Sequence, residues 1–241
     1  MIGPGDLRRL NLGHFTMPPE SRMPGEKIAV CAYLVRYDGG VLLFDTGIGV
    51  GHAQAEREFG PIHRRSLESE LAASVLRISD ISAVVNCHLH MDHCGGNPQF
   101  PHIPIFVQQN ELDALSTLEY VLPEVVDFNG AALQVHDGEA KVAPGLRIIP
   151  TPGHTPGHQS LLIETSRGRV LLAGQAFSSA SDYARAQFGL DVEAADSGTV
   201  APAPPPWLAE LRELDVRRVF FAHDRLVWDS AQSADQLSWA P

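Results

Sequence analysis

Six consecutive residues, His88-Leu89-His90-Met91-Asp92-His93, constrain this chain more than any other feature. They come one residue after ISAVVN (81–86), a β-rich run that reads as a short strand. Three imidazoles and a carboxylate are therefore gathered at one strand end. Such groups are costly to bury, and packing does not require them. Imidazole nitrogen and carboxylate oxygen are the donors that zinc takes at about 2.0–2.2 Å. In an extended segment His88 and His90 point the same way, while Asp92 and His93 address a second point. A polar surface loop is the plainer alternative, and the density of donors speaks against it.

Two further histidines fall at strand ends. His154 lies in Thr151-Pro152-Gly153-His154-Thr155-Pro156-Gly157-His158, where paired Pro-Gly turns fix the backbone and aim a side chain. His223 closes the run RRVFFAH (217–223). Beside the first cluster, both read as metal ligands. His158 reads as a turn or supporting residue rather than a ligand, and its removal is expected to do little beyond local destabilisation.

Around these positions the chain alternates strands, turns and short helices. IAVCAYLVRY and VLLFD form a predicted hairpin about Asp38-Gly39-Gly40. Ser66 caps a predicted helix with Leu67, Leu71, Val75 and Ile78 as its apolar stripe. A strand IPIFV precedes a short helix through Glu111 to Leu118, and LQVHDG, LRIIPTPG, SLLIET and RVLLAG follow as strand-like runs. The Pro-rich APAPPP (201–206) leads into a last helix from Pro206 to Leu214. Such interleaving predicts one domain over 1–241, with mixed sheets covered by helices.

Composition excludes several partners. With 18 Lys and Arg against 29 Asp and Glu, the net charge is −11, and no basic stripe would grip a phosphate backbone. Nucleic acid is not an expected partner. The longest unbroken apolar run, Ile28 to Val35, is far short of the roughly 20 residues that span a bilayer, so no membrane is expected either. The first residues lack the apolar core of a signal peptide. Three cysteines make no disulfide framework, which fits a reducing, cytoplasmic setting.

HLHMDH, followed by PGHTPGH, LLAGQA and FAH, resembles the metallo-β-lactamase superfamily from about Val30 to His223. Phe44-Asp45-Thr46-Gly47 matches the family's early D-T-G at a strand end. VVNCHLHMDHCGGN, TPGHTPGH and the compact length look most like the N-acyl-homoserine-lactone lactonases within it. The resemblance implies an α/β (α+β) fold, an αββα sandwich of two mixed β-sheets flanked by helices, with the metal site at one edge. It places His88, His90 and His154 on a first zinc and Asp92, His93 and His223 on a second. Asp45 would orient a ligand imidazole from behind, as such partners do.

The sequence departs from that pattern twice. Where the family has a metal-bridging aspartate, the turn here reads Leu172-Ala173-Gly174-Gln175-Ala176. Gln175 offers a neutral amide oxygen, so a secure first zinc site and a weaker second are expected. Where the lactonases have a carbonyl-polarising tyrosine, this chain has Ser178, with Tyr183 five residues on as another candidate. The implied activity is hydrolysis, by metal-bound hydroxide, of a lactone or similar small ester, with Asp92 shuttling the proton to the leaving alkoxide. Such an enzyme would be capable of quorum quenching. A glyoxalase II-like thioesterase or a β-lactamase-like hydrolase is the alternative, and a catalytically weakened metal- or ligand-binding protein a third. The loops Gly47 to Arg65 and Ser178 to Thr199 are expected beside the metal edge, with Phe177 and Phe188 as apolar walls of a substrate pocket.

Overall fold

Every second residue of the central strands faces a different core, and this alternation organises the molecule. The computed structural model describes residues 1–21, 23–195 and 203–231. Its first half supplies one sheet: β1 (Leu7–Thr16), β2 (Lys27–Tyr37), β3 (Gly40–Phe44), β4 (His63–Arg64), β5 (Ala83–Val85), β6 (Pro104–Gln108) and β7 (Ala132–His136), in spatial order β4-β1-β2-β3-β5-β6-β7. The second half supplies the other: β8 (Ala140–Ala143), β9 (Leu146–Pro150), β10 (Gln159–Thr165), β11 (Gly168–Leu172), β12 (Val216–Phe220) and β13 (Trp228–Asp229), in order β13-β12-β11-β10-β9-β8. Both sheets are mixed. The meander β1-β2-β3 is antiparallel and β3-β5-β6-β7 parallel, while β11 and β12 are the parallel pair of the second sheet.

Cys31, Tyr33 and Val35 on β2, Leu42 and Phe44 on β3 and Val85 on β5 turn inward. There they meet Leu146, Ile148, Leu161, Ile163, Val170 and Leu172 of the second sheet. The intervening residues Val30, Ala32, Leu34, Val41, Leu43 and Val84 turn outward against α1 (Ala53–Glu58), α2 (Leu67–Ala72), α3 (Met91–Cys94) and α4 (Gln109–Ala114). On the far side Leu162, Leu171 and Val219 pack beneath α5 (Ala180–Ala195) and α6 (Trp207–Glu213). Two sheets sealed face to face with helices outside make an αββα sandwich, as the resemblance implied. Leu, Ile and Val on both faces of a strand are what a sheet covered on both sides requires.

The β2–β3 hairpin forms as read, with Tyr37 opposite Gly40 and the turn glycines at positive φ. Two helices are shorter than their patterns suggested. α2 stops at Ala72, because Val75 takes a left-handed φ of 57° and is 91% exposed, which breaks the expected stripe. α4 ends at Ala114 rather than Leu118. The three cysteines are buried free thiols. Among the described residues no helix is long and apolar enough to cross a membrane.

Candidate metal centre

β5 lies between β3 and β6, is buried throughout, and runs parallel to both, so three strands deliver their C-terminal ends to one edge of the sandwich. The chain leaves β5 through Asn86 and Cys87 into His88. His90 then sits at the N-terminus of α3, whose four residues include Asp92 and His93. The amide of Thr46, just beyond β3, donates to the carbonyl of His93 at 2.7 Å and holds that short helix against the sheet. From the second sheet, the loop after β9 brings His154 and the end of β12 brings His223.

These donors meet as two trios. In His88, His90 and His154, one ligand atom from each lies within 4.8 Å of the others, and the same holds for Asp92, His93 and His223. Each trio takes two members from the loop after β5 and one from the second sheet. His154 is exposed as a residue, yet its ring leans inward to 4.6 Å from His88 and 4.9 Å from His90, centre to centre. Its Nε2 lies 3.2 Å from His90 Nδ1.

The hydrogen bonds behind the rings set their tautomers. His223 donates from Nδ1 to the carbonyl of Ala29 at 2.7 Å, which leaves Nε2 as the lone-pair nitrogen. That Nε2 is buried without a hydrogen-bond partner, 3.4 Å from Asp92 Oδ2. His88 Nε2 is buried and unpartnered as well, while its Nδ1 lies 3.1 Å from Cys87 Sγ. Buried polar atoms are normally satisfied. Two orphaned imidazole nitrogens, one in each trio, are what a metal-binding donor set presents without its ions, so these residues fit the metal.

Asp45 lies behind the second trio. Its Oδ2 accepts from His93 Nδ1 at 2.9 Å and its Oδ1 from the Cys87 amide at 2.8 Å. Its own φ is 64°, a left-handed conformation that Asp tolerates better than most residues. Gln175 also reaches the site: its Oε1 lies 3.1 Å from His93 Nε2.

Electrostatics separate the trios. Burial, with the neighbouring imidazoles, pushes His88 well below its ordinary value, and holds His90 down at about 4 and His154 at about 3. The first trio is therefore neutral, with lone pairs available. Burial also works against charge on His93, but the carboxylates of Asp92 and Asp45 outweigh it and raise that imidazole to about 9. Asp92 responds in kind: burial opposes its charge, and His93 and His223 hold it below the usual carboxylate range.

His158 is fully buried. Its Nε2 accepts the backbone N–H of Gln175 at 3.1 Å, and its Nδ1 pairs with Thr151 Oγ1 at 2.9 Å. Thr151 Oγ1 in turn pairs with Ser160 Oγ at 2.8 Å, and Ser160 donates to the Ala173 carbonyl at 3.3 Å. The chain of hydroxyls fixes the His158 tautomer, and His158 then fixes the turn that presents Gln175.

The structure does not bring Tyr183 to the imidazoles. Its ring packs among Phe177, Phe221 and Trp228 beneath α5, and its hydroxyl accepts from Gln187 at 2.9 Å. A tyrosine with three aromatic neighbours in the outer core is a packing residue. Phe177 belongs to the same cluster and meets Trp207 edge-on. Phe188 projects from α5 with 55% of its surface exposed. Ser178 is exposed on the loop that carries Gln175. Of the stretch Ser178 to Thr199, positions 196–199 lie outside the described residues. The loop after β3 borders a cavity of about 460 Å³, with Thr46, Ile48, Arg64 and Leu67 among its walls.

Two residues of the centre escaped the sequence reading. Cys87 places its sulfur 3.2 Å from both Asp45 Oδ2 and His93 Nδ1, beneath the two trios at once; its position next to His88 was the available signal. Glu111, on α4, carried none.

Comparison with known proteins shows the family. The family model described as "Metallo-beta-lactamase superfamily" matches residues 28–223. An N-acyl homoserine lactonase of a Bacillus species is 33% identical over 218 residues, covering 83% of this chain and 84% of that one. Among solved structures, an N-acyl homoserine lactone hydrolase with the product N-hexanoyl-L-homoserine bound at its catalytic metal centre superposes with a TM-score of 0.71 at 24% identity, covering 98% of this chain and 96% of the other. AidC, described as a dizinc quorum-quenching lactonase, gives a TM-score of 0.64 at 18% identity, covering 92% and 88%.

Proposed function

Because this chain belongs to the metallo-β-lactamase superfamily, a family of metal-dependent hydrolases, we propose that it opens the ring of N-acyl homoserine lactones. The observation that carries the reading is the pair of donor trios at one sandwich edge, each with a buried imidazole nitrogen left unpartnered. His88, His90 and His154 hold one zinc ion; Asp92, His93 and His223, with the amide oxygen of Gln175, hold a second more weakly. When bound, zinc acidifies water toward neutral pH and polarises a carbonyl oxygen.

The chain's own groups do the rest. Asp45 keeps His93 Nδ1 protonated and its Nε2 turned to the centre. Asp92 lies 3.4 Å from both His93 and His223 and accepts the proton that the leaving alkoxide oxygen later takes. Ser178, on the turn beyond Gln175, supplies the hydroxyl donor toward the lactone carbonyl in place of the packed Tyr183. The cytoplasm is the proposed compartment.

Metal content by mass spectrometry, paired with turnover of a panel of acyl homoserine lactones, tests this. Bound zinc with lactone opening is the expected result, and His154→Ala is expected to remove the first metal and the activity together. Full activity in His154→Ala, or zinc-loaded protein inert toward every lactone, would overturn the proposal.

A further inference from the structure

Glu111 is a carboxylate buried to 1% exposure, and among the described residues no cation forms an ion pair with it. Its two oxygens grip two different loops. Oε1 accepts the backbone N–H of Leu89 at 2.9 Å, and Oε2 accepts the backbone N–H of Gly157 at 3.0 Å. Leu89 is the residue between His88 and His90. Gly157 lies in the loop that carries His154. One side chain thus ties together the two segments, from opposite sheets, that supply the whole first trio.

The fit around this bridge is close. A Cβ on Gly157 would lie 2.2 Å from the Glu111 amide nitrogen and 2.5 Å from its Cβ, so the loop backbone rests directly on α4. Among the described residues no buried carboxylate bridges α3 to the loop of His223 in this way, and neither Leu89 nor Gly157 adjoins His223. With a donor N–H on each side, the bridge requires an acceptor at both ends, which an ionised carboxylate provides and an amide does not.

We infer that Glu111 is a positioning residue for the first metal site, holding the β5 loop and the His154 loop at the separation that lets His88, His90 and His154 converge. The inference rests on the metal-centre reading above. Glu111→Gln keeps the length and sets an NH₂ against one backbone N–H. Glu111→Asp keeps both acceptors and is one methylene too short to span. Either change breaks the bridge without removing any of the three imidazoles.

The test is zinc titration of the full chain, natural and variant, followed by the ¹⁵N imidazole signals of His154 and His223. The expected result is that the His154 site weakens about 10- to 100-fold in both variants, the range seen when a partner behind a metal ligand is removed, while the His223 site keeps its affinity. Unchanged affinity at His154, or an equal loss at both sites as a merely structural residue would give, overturns the inference. Should Glu111→Gln fail to fold, Glu111→Asp is read by the same criterion. If the natural chain shows no zinc shift at His154, the metal-centre reading fails and takes this inference with it. Zinc bound at both sites with no lactone turnover would refute only the proposed substrate.

Discussion

The side-chain oxygen of Gln175 lies 3.1 Å from Nε2 of His93, where a carboxylate would make a charged pair. The amide fills the place without the charge. Near bound dications the ions dominate the local field, so one missing negative charge is a large change. The second metal is expected to bind more weakly than the first and to leave first on adding chelator. Gln175→Asp is expected to tighten it, and zinc titration of the metal-free protein reads the difference directly. Two equal, tight equivalents in the natural sequence, unchanged by the substitution, would refute this.

His158→Ala tests the turn behind that amide. The sequence suggested a minor local effect, but the imidazole is the acceptor for the Gln175 backbone N–H and the end of a buried hydroxyl chain. Leaving a buried donor unsatisfied costs about 1–3 kcal/mol. Chemical denaturation is expected to show a loss of that size, with the first metal still bound; a loss of the first metal would make His158 a ligand.

The two trios are expected to load differently with pH. His93, raised to about 9 between Asp92 and Asp45 and facing Cys87, His88, His223 and Gln175, must release a proton to bind metal. Apparent affinity at the second trio therefore rises about tenfold per pH unit up to about 9. The first trio, with His90 near 4 and His154 near 3, is flat above about pH 5. In zinc-free protein the same His93 pair stabilises the fold fully below about pH 6.5, and that contribution is lost as pH rises through about 9. Titrations between pH 6 and 8 with parallel slopes for both sites would contradict the assignment.

Tyr183→Phe is expected to leave lactone turnover unchanged. Among the described residues the hydroxyl it removes accepts from Gln187, a part-buried bond whose loss costs about 0.5–1.5 kcal/mol. A large fall in kcat with normal zinc content would return Tyr183 to the chemistry.

How much of this was legible in the sequence follows from the range of the forces involved. The gathering of the candidate donors was, because zinc chemistry restricts their types and strand ends restrict their positions. The alternating runs of β2 and β3 were, because each face of a strand meets a different layer. The α2 boundary was not: Val75 continues the apolar stripe in sequence, and only its left-handed backbone ends the helix. Glu111 was not, because a carboxylate opening a helix reads as a solvated first-turn residue. Its role exists only once two loops from different sheets reach the same helix. Tyr183 was misplaced for a similar reason, since proximity to Gln175 in sequence says nothing of which face of the second sheet it covers.

The two-plus-one make-up of both trios has a consequence for the life of the chain. Synthesis delivers HLHMDH well before His154, and His223 last of all. The first cluster has only two of its donors until His154 is made, and the second only two until His223 is made. Completing either donor set thus waits on the docking of one sheet against the other, so the convergence of each trio is itself a mark of the finished sandwich.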